Sequence, residues 1–242
     1  MEPTRPFSPG RFYRRQALWL FGLAALVFCV FEFTDLDLAI SDRFYSTERH
    51  KFPLRYNRWI EAILHEGAKY PIIAIGGGSL VLFGASFWFE RVRRHRWTFL
   101  FVALCVGLGP FLIGSLKHSS FKHCPYDLEM YGGYATYTKL LDPAIPGEKP
   151  GGCFPGGHAS GGFALMSLYF VWFRTQPRRA RWAWLAALVY GNVLGFSRVV
   201  QGAHFVSHHL WTALIVWAIC LLLYELLLRR RDDRRAREVG AA

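Results

Sequence analysis

Residues 210–228 read LWTALIVWAICLLLYELLL, and RRRDDRRAR follows at 229–237. A helix that crosses the hydrocarbon core of a membrane needs about 20 mostly apolar residues. The stretch from about Leu210 to Leu228 meets that need, with Glu225 as its one acidic interruption and arginines closing it. Working back toward the N-terminus, similar runs appear at about Trp182–Phe196, Ala159–Phe173, Trp97–Leu116, Tyr70–Phe89 and Ala17–Thr34. The runs beginning at Ala159 and Trp182 are short, and glycines open the former. Backbone polar groups in lipid must be satisfied within the segment, so the runs are read as helices. The expected fold is therefore all-α: one integral membrane domain over residues 1–242, a bundle of about six transmembrane helices. Arg11, Arg14 and Arg15 precede the first run as they would in a secretory signal. That run is too long for a signal and lacks a clear small-residue cleavage site, so it is read as a retained span.

The net charge of +12 is carried mainly at the ends of these runs. No groove-reading motif accompanies it, which argues against a nucleic-acid partner. Arg5, Arg11, Arg14 and Arg15 precede the first span; Arg91, Arg93, Arg94 and Arg96 follow the second. Arg174, Arg178, Arg179 and Arg181 follow the fourth, and Arg229, Arg230, Arg231, Arg234, Arg235 and Arg237 follow the sixth. With six spans these four segments share one side, which the positive-inside rule makes cytoplasmic. The expectation is a bacterial inner-membrane protein with both termini in the cytoplasm. Loops at about 35–69, 117–158 and 197–209 then face outward. In the first, Trp59, Ile60, Ile63, Leu64 and Gly67 recur at helical spacing among charged residues, which predicts an amphipathic helix lying in the interface.

The outward loops hold three clusters rich in histidine and glycine: KHSSFKHCP at 117–125, FPGGHAS at 154–160 and SRVVQGAHFVSH at 197–208. The expected topology puts all three at the outer, periplasmic membrane boundary. This set suits phosphoryl transfer, which needs fixed positive charge and oriented N–H donors around a phosphate. Lys117 and Arg198 supply charge. Gly156 and Gly157 allow close backbone approach at the start of a helix, where amide groups attract anions. Two histidines can divide the remaining work, one attacking phosphorus and the other protonating the leaving oxygen.

In order and spacing the clusters resemble the three motifs of the type 2 phosphatidic acid phosphatase superfamily, which also includes vanadium haloperoxidases. That pattern is Lys, six residues, Arg-Pro; then Pro-Ser-Gly-His; then Ser-Arg, five residues, His, three residues, Asp. The motif core is residues 117–208. The resemblance implies that His204 is a nucleophile forming a phosphohistidine and that His158 is the general acid. It implies that Lys117, Arg198 and the glycine backbone bind the substrate's phosphate, with no metal and no cofactor. The implied substrate is a lipid-linked phosphomonoester or diphosphate drawn from the membrane lipid. Undecaprenyl diphosphate, lipid A phosphate, phosphatidylglycerol phosphate and phosphatidic acid are the family's examples. Phosphotransfer to another lipid and binding of lipid phosphate without turnover are the alternatives.

Three positions depart from the pattern. Cys124 stands in place of Arg, Gly156 in place of Ser, and His208 in place of Asp. The aspartate normally orients the nucleophile, as the acid of a hydrolase triad does. His208 can do so only as a neutral acceptor of a hydrogen bond from His204, unless Asp127 or Glu129 reaches the site. His118, His123 and His209 fit no zinc spacing. Cys124 and Cys153 are the two cysteines in outward segments, and that compartment is oxidising. A disulfide between them is expected, the alternative being two free thiols; Cys29, Cys105 and Cys220 fall within spans.

Overall fold

A computed structural model describes residues 7–234. It is an all-α membrane bundle, with no β-strand among the described residues. The elements in order are α1 (Pro9–Phe33), a short α2 (Leu36–Asp42), α3 (Arg58–Ile60) continued by a π turn (Glu61–Gly67), and α4 (Lys69–Ala85). After α5 (Glu90–Arg93) come α6 (Arg96–His118), α7 (Gly157–Ala164), a 3-10 turn (Leu165–Ser167) and α8 (Leu168–Trp172). The chain closes with α9 (Pro177–Val200) and α10 (Val206–Tyr224), which runs into a π turn at Glu225–Arg229.

Among the described residues five helices are long and apolar enough to cross a membrane: Pro9–Phe33, Arg58–Ala85, Arg96–His118, Pro177–Val200 and Val206–Arg234. The expected span at Ala159–Phe173 differs from these. It is the interrupted rod α7–3-10–α8, about 24 Å long at about 1.5 Å per residue, short of the hydrocarbon thickness. Every residue from Ala159 to Ser167 is buried. The rod lies inside the bundle, so its length is not set by lipid. Its glycines make that position possible: a Cβ on Gly162 would stand 2.8 Å from the Gly191 Cα of α9.

The segment around Trp59–Gly67 also departs from expectation. It does not lie as a separate interfacial helix. The π turn continues into α4, so that Arg58–Ala85 forms one long helix, and the inner side of the turn is drawn onto the site described below. Trp59 and Ile63 keep the exposed side.

The two ends of the bundle are chemically distinct. At one end Arg174 pairs with Asp233 at 3.0 Å and lies over the Phe7 ring, while Arg231 covers Trp97 at 3.8 Å. The described arginine segments therefore meet at one end; Arg5, Arg235 and Arg237 lie outside the described residues. At the other end α1 is tied to the loop before α7. Glu32 accepts from the Leu140 amide at 3.0 Å, and Asp35 pairs with Lys139 at 3.0 Å. Between the ends, Phe170 stacks on Tyr224 at 4.4 Å in a core that also buries Phe101 and Phe163.

Candidate active site

The three clusters converge at the end opposite the arginines. Lys117 occupies the last turn of α6, His158 the first turn of α7, and Arg198 the last turn of α9. His204 follows a sharp turn between α9 and α10. That turn requires glycine: Gly202 has φ +68°, and a Cβ there would meet the Phe52 ring at 2.4 Å. The Ala203 amide closes the turn onto the Arg198 carbonyl at 2.9 Å. The geometry sends the His204 side chain back into the protein, where it is 5% exposed.

Lys117 and Arg198 are near enough to act on each other, and both act on His204. The position a Cβ would take on Gly157 is 3.8 Å from Lys117 Cδ. Two cations and the opening turn of a helix thus face one region. Burial pushes the His204 imidazole well below its ordinary range, with His208, Lys117, Arg198 and His209 adding to the effect. His204 is therefore neutral at physiological pH, with a nitrogen lone pair available.

Which nitrogen carries that lone pair follows from its partner. His204 Nδ1 lies 3.3 Å from Cys153 Sγ. Cys153 is joined to Cys124, with Cα atoms 5.3 Å apart. A disulfide sulfur has no proton and can only accept, so a hydrogen bond at this contact requires the hydrogen on Nδ1, the tautomer that leaves Nε2 with its lone pair. The same bond bears on metal binding. Cys124, Cys153 and His204 place three ligand atoms within 4.8 Å of one another, but the two sulfurs are consumed by each other and cannot bind as thiolates. Glu61, His65 and Glu66 form a second such group; Glu66 is already paired with Lys69 at 2.8 Å.

His158 is fixed by a segment that no motif marks. Its Nε2 donates to the Leu64 carbonyl at 2.9 Å, and its ring stacks on His65 at 4.4 Å. Both partners belong to the π turn, an element often found at functional sites. Arg198 is held from three directions. It donates to Gln201 Oε1 at 2.8 Å, stands 3.3 Å from His65 Nδ1, and lies 3.6 Å from Glu61. Gln201 was recognisable in principle, since it follows Arg198 by one helical turn. His65 and Glu61 come from a distant segment and give no such signal.

Other expected positions take different roles. The Gly156 amide donates to the His208 carbonyl at 3.1 Å and its carbonyl accepts from Thr212 at 3.0 Å, so this residue fastens α7 to α10 and has no amide to offer a phosphate. His208 does not accept from His204. The two ring centroids are 5.8 Å apart, His208 Nδ1 is unpartnered, and the ring packs edge-on against Phe154 and Phe205. Asp127 faces His123 and Arg55, and Glu129 is exposed, so neither stands in for the aspartate. His118 is exposed, His123 pairs with Glu148 at 3.4 Å, and the His209 ring fits against Gly195.

Two openings flank the site. A groove with an empty volume of about 1350 Å³ runs between α4 and α6, lined by Ile72, Ile73, Gly76, Gly77, Leu80, Leu104 and Gly107, and reaches Gly157 and His158. Its wall is overwhelmingly apolar. A second cleft of about 800 Å³ is bounded by Arg55, Arg58, Tyr126, Arg198 and Gln201, with Arg55 lying 3.9 Å over the Tyr126 ring.

No solved structure matches the chain. A protein named lipid A 4'-phosphatase, from Francisella tularensis subsp. novicida (strain U112), is 28% identical over 222 residues, covering 87% of this chain and 97% of that protein. The family model described as the PAP2 superfamily matches residues 98–232, which include most of α6, the three clusters and α10. With more than half of its length in that match, the chain belongs to the PAP2 superfamily, the type 2 phosphatidic acid phosphatases.

Proposed function

We propose that this protein is a lipid phosphatase that removes phosphate from a lipid-linked phosphomonoester or diphosphate through a phosphohistidine on His204. The observation that carries the reading is the pairing of a neutral imidazole with a free Nε2 and two cations, Lys117 and Arg198, beside an apolar groove. The His204 Nε2 lone pair attacks the terminal phosphorus while its bond to the leaving oxygen breaks, that oxygen being the lipid oxygen of a monoester or the bridging oxygen of a diphosphate. The leaving oxygen takes a proton from His158. Because Nε2 of His158 donates to the Leu64 carbonyl, the proton comes from Nδ1 of its imidazolium form. Burial and the neighbouring His65 and Arg198 lower the pKa of His158, so the anionic phosphate must bring that form up as it binds. Lys117, Arg198 and the first amides of α7, beginning with Gly157, carry the charge that builds on the phosphoryl oxygens. Water then attacks the phosphohistidine, His158 takes back a proton, the nitrogen–phosphorus bond breaks and inorganic phosphate leaves. Fixed side-chain charge fills the part that a metal plays in other phosphatases, so no metal or cofactor enters the scheme.

The groove suits the hydrocarbon tail of the substrate, and the arginine- and tyrosine-lined cleft suits its polar headgroup. Among the family's substrates, the name of the Francisella relative favours a lipid A phosphate. The arginine-bearing end is cytoplasmic by the positive-inside rule. That orientation puts the site at the periplasmic face of a bacterial inner membrane, with both termini inside.

The test is phosphate release by purified protein in detergent with excess chelator, over a panel of lipid phosphates. Wild type is expected to release phosphate and His204→Ala to release none. Undiminished release by His204→Ala overturns the mechanism. Binding of lipid phosphate by a wild type that neither releases nor transfers phosphate would identify a binding protein.

A further inference from the structure

The third motif lacks its acid, yet the nucleophile is not left unheld. The residue that replaces the acid, His208, makes no hydrogen bond to His204 and leaves its own Nδ1 unpartnered. The polar atom that meets His204 Nδ1 is the Cys153 sulfur, 3.3 Å away and fully buried. This sulfur is pinned from both sides. Its own chain is bonded to the first cluster by the Cys153 amide on the Lys122 carbonyl and the Gly152 amide on the Ser120 carbonyl, each at 2.9 Å. The covalent bond to Cys124 fixes it again at the sulfur itself. Sulfur is a soft, weak acceptor, but it needs no charge and no reorientation to accept from an N–H already aimed at it.

We infer that the Cys124–Cys153 disulfide is a positioning group for the nucleophile, the Cys153 sulfur accepting from His204 Nδ1–H and so holding the tautomer whose Nε2 attacks phosphorus. The inference rests on the reading of His204 as nucleophile. It gives the two cysteines one joint role: Cys124 occupies the place of a phosphate-binding arginine, and its partner does the orienting that the lost aspartate would have done. The acceptor moves from the residue four positions after the nucleophile to the chain before α7. An uncharged acceptor also sets this site apart from one with a carboxylate, because it stabilises no positive charge on the imidazole.

The test separates the sulfur from the cross-link. Cys124→Ala and the double variant Cys124→Ala/Cys153→Ala both lose the covalent bond, and only the second loses the sulfur at His204. At equal melting temperature the double variant is expected to have a kcat lower than Cys124→Ala by about tenfold or more, the usual range for an orienting partner, with KM little changed. Cys124→Ala/Cys153→Ser, which returns an acceptor to the position, is expected to recover most of that loss. Equal kcat for Cys124→Ala and the double alanine variant overturns the inference. An arm that needs no cysteine variant reads the tautomer directly, by nitrogen NMR of the wild-type protein with isotope-labelled histidine, assigned against His204→Ala. A hydrogen on His204 Nδ1 is expected, and a hydrogen on Nε2 overturns the inference. Phosphate release by His204→Ala itself would instead remove the mechanism on which the inference rests.

Discussion

At the scale of single residues the site depends on keeping one imidazole neutral among cations. An ordinary histidine titrates near pH 6.5. His204 is pushed well below that by burial first and by its cationic and imidazole neighbours second, so its neutral form persists as pH falls through the usual range. The expected consequence is a kcat/KM profile with no loss attributable to the nucleophile between about pH 7.5 and about pH 6.5, where a solvated histidine would already be half protonated. A steep loss centred near the ordinary value would mean that the nucleophile is solvated. Arg198 is the second sensitive point. Its guanidinium is directed by the buried Gln201, so Arg198→Ala should lower kcat by about 100-fold, as loss of a charge-stabilising donor does. Gln201→Leu should cost about tenfold by freeing the arginine, and steady-state kinetics at saturating lipid phosphate would rank the two. The convergence of Lys117, Arg198, His158 and His204 on one end of the bundle was legible because motif spacing marks those positions, whereas the residues that contact them were not. Leu64 contributes only a carbonyl, which any residue has, and His65 reaches the site by tertiary folding alone. The same holds for His208, because spacing puts it in the first turn of α10 without saying where its ring nitrogens point.

At the scale of elements, two contacts decide whether the site is assembled. The first is the crossing of α7 and α9. A Cβ on Gly191 would stand 2.3 Å from the Phe163 ring, and one on Gly162 would meet the Gly191 backbone. Gly191→Ala is expected to destabilise the protein by about 1–3 kcal/mol, the range for overpacking a tight core, read as a lower melting temperature in detergent. The second contact is at the start of α10. Asp37 is 5% exposed, accepts from the Ser207 amide at 3.0 Å and from the Ser207 hydroxyl, and so closes the helix that follows His204. Burial raises its carboxyl from 3.8 to about 6, against the lowering effect of those hydrogen bonds. A folded-state value above the unfolded one means that this group favours folding at low pH and loses that contribution as pH rises through about 6. Wild type should therefore lose more melting temperature between pH 4.5 and pH 7 than Asp37→Asn, which cannot ionise; parallel curves would show that the Asp37 carboxyl ionises as freely folded as unfolded. Most of the helices could be placed from hydropathy, but their ends could not. The α9 helix runs from Pro177 to Val200, beyond the expected Trp182–Phe196, because arginine stems continue a helix into the interface without adding hydropathy. The burial of the central rod was not legible in hydropathy, because a hydropathy window cannot tell lipid from protein as apolar surroundings. Its run of small residues was the evidence for protein.

For the whole molecule, the separation of the arginine-lined end from the end that carries the histidine cluster predicts sidedness. Exposed Lys149 belongs to the histidine end and exposed Arg178 to the other. In intact inner-membrane vesicles of known orientation, Lys149→Cys and Arg178→Cys should react with a membrane-impermeant maleimide from opposite faces, Arg178→Cys from the cytoplasmic one. Labelling of both from the same face would refute the topology. The groove between α4 and α6 predicts selectivity in the same global frame, because it begins in the bundle wall and ends at His158. Gly107 lines it, and a Cβ there would meet nothing within 4 Å. Gly107→Leu therefore adds apolar bulk to the groove wall at a position whose Cβ meets no packed neighbour. If a hydrocarbon tail lies there, the new side chain excludes some of its methylenes. Each buried methylene is worth about 0.8 kcal/mol, so displacing two costs about 1.6 kcal/mol, slightly more than a tenfold change in affinity. The expected result is a kcat/KM for long-tailed lipid phosphates about tenfold lower than wild type, with a much smaller loss for short-tailed analogues that never reach Gly107. Equal losses for both tail lengths would place the tail elsewhere in the bundle and leave this groove to a membrane lipid that is not the substrate.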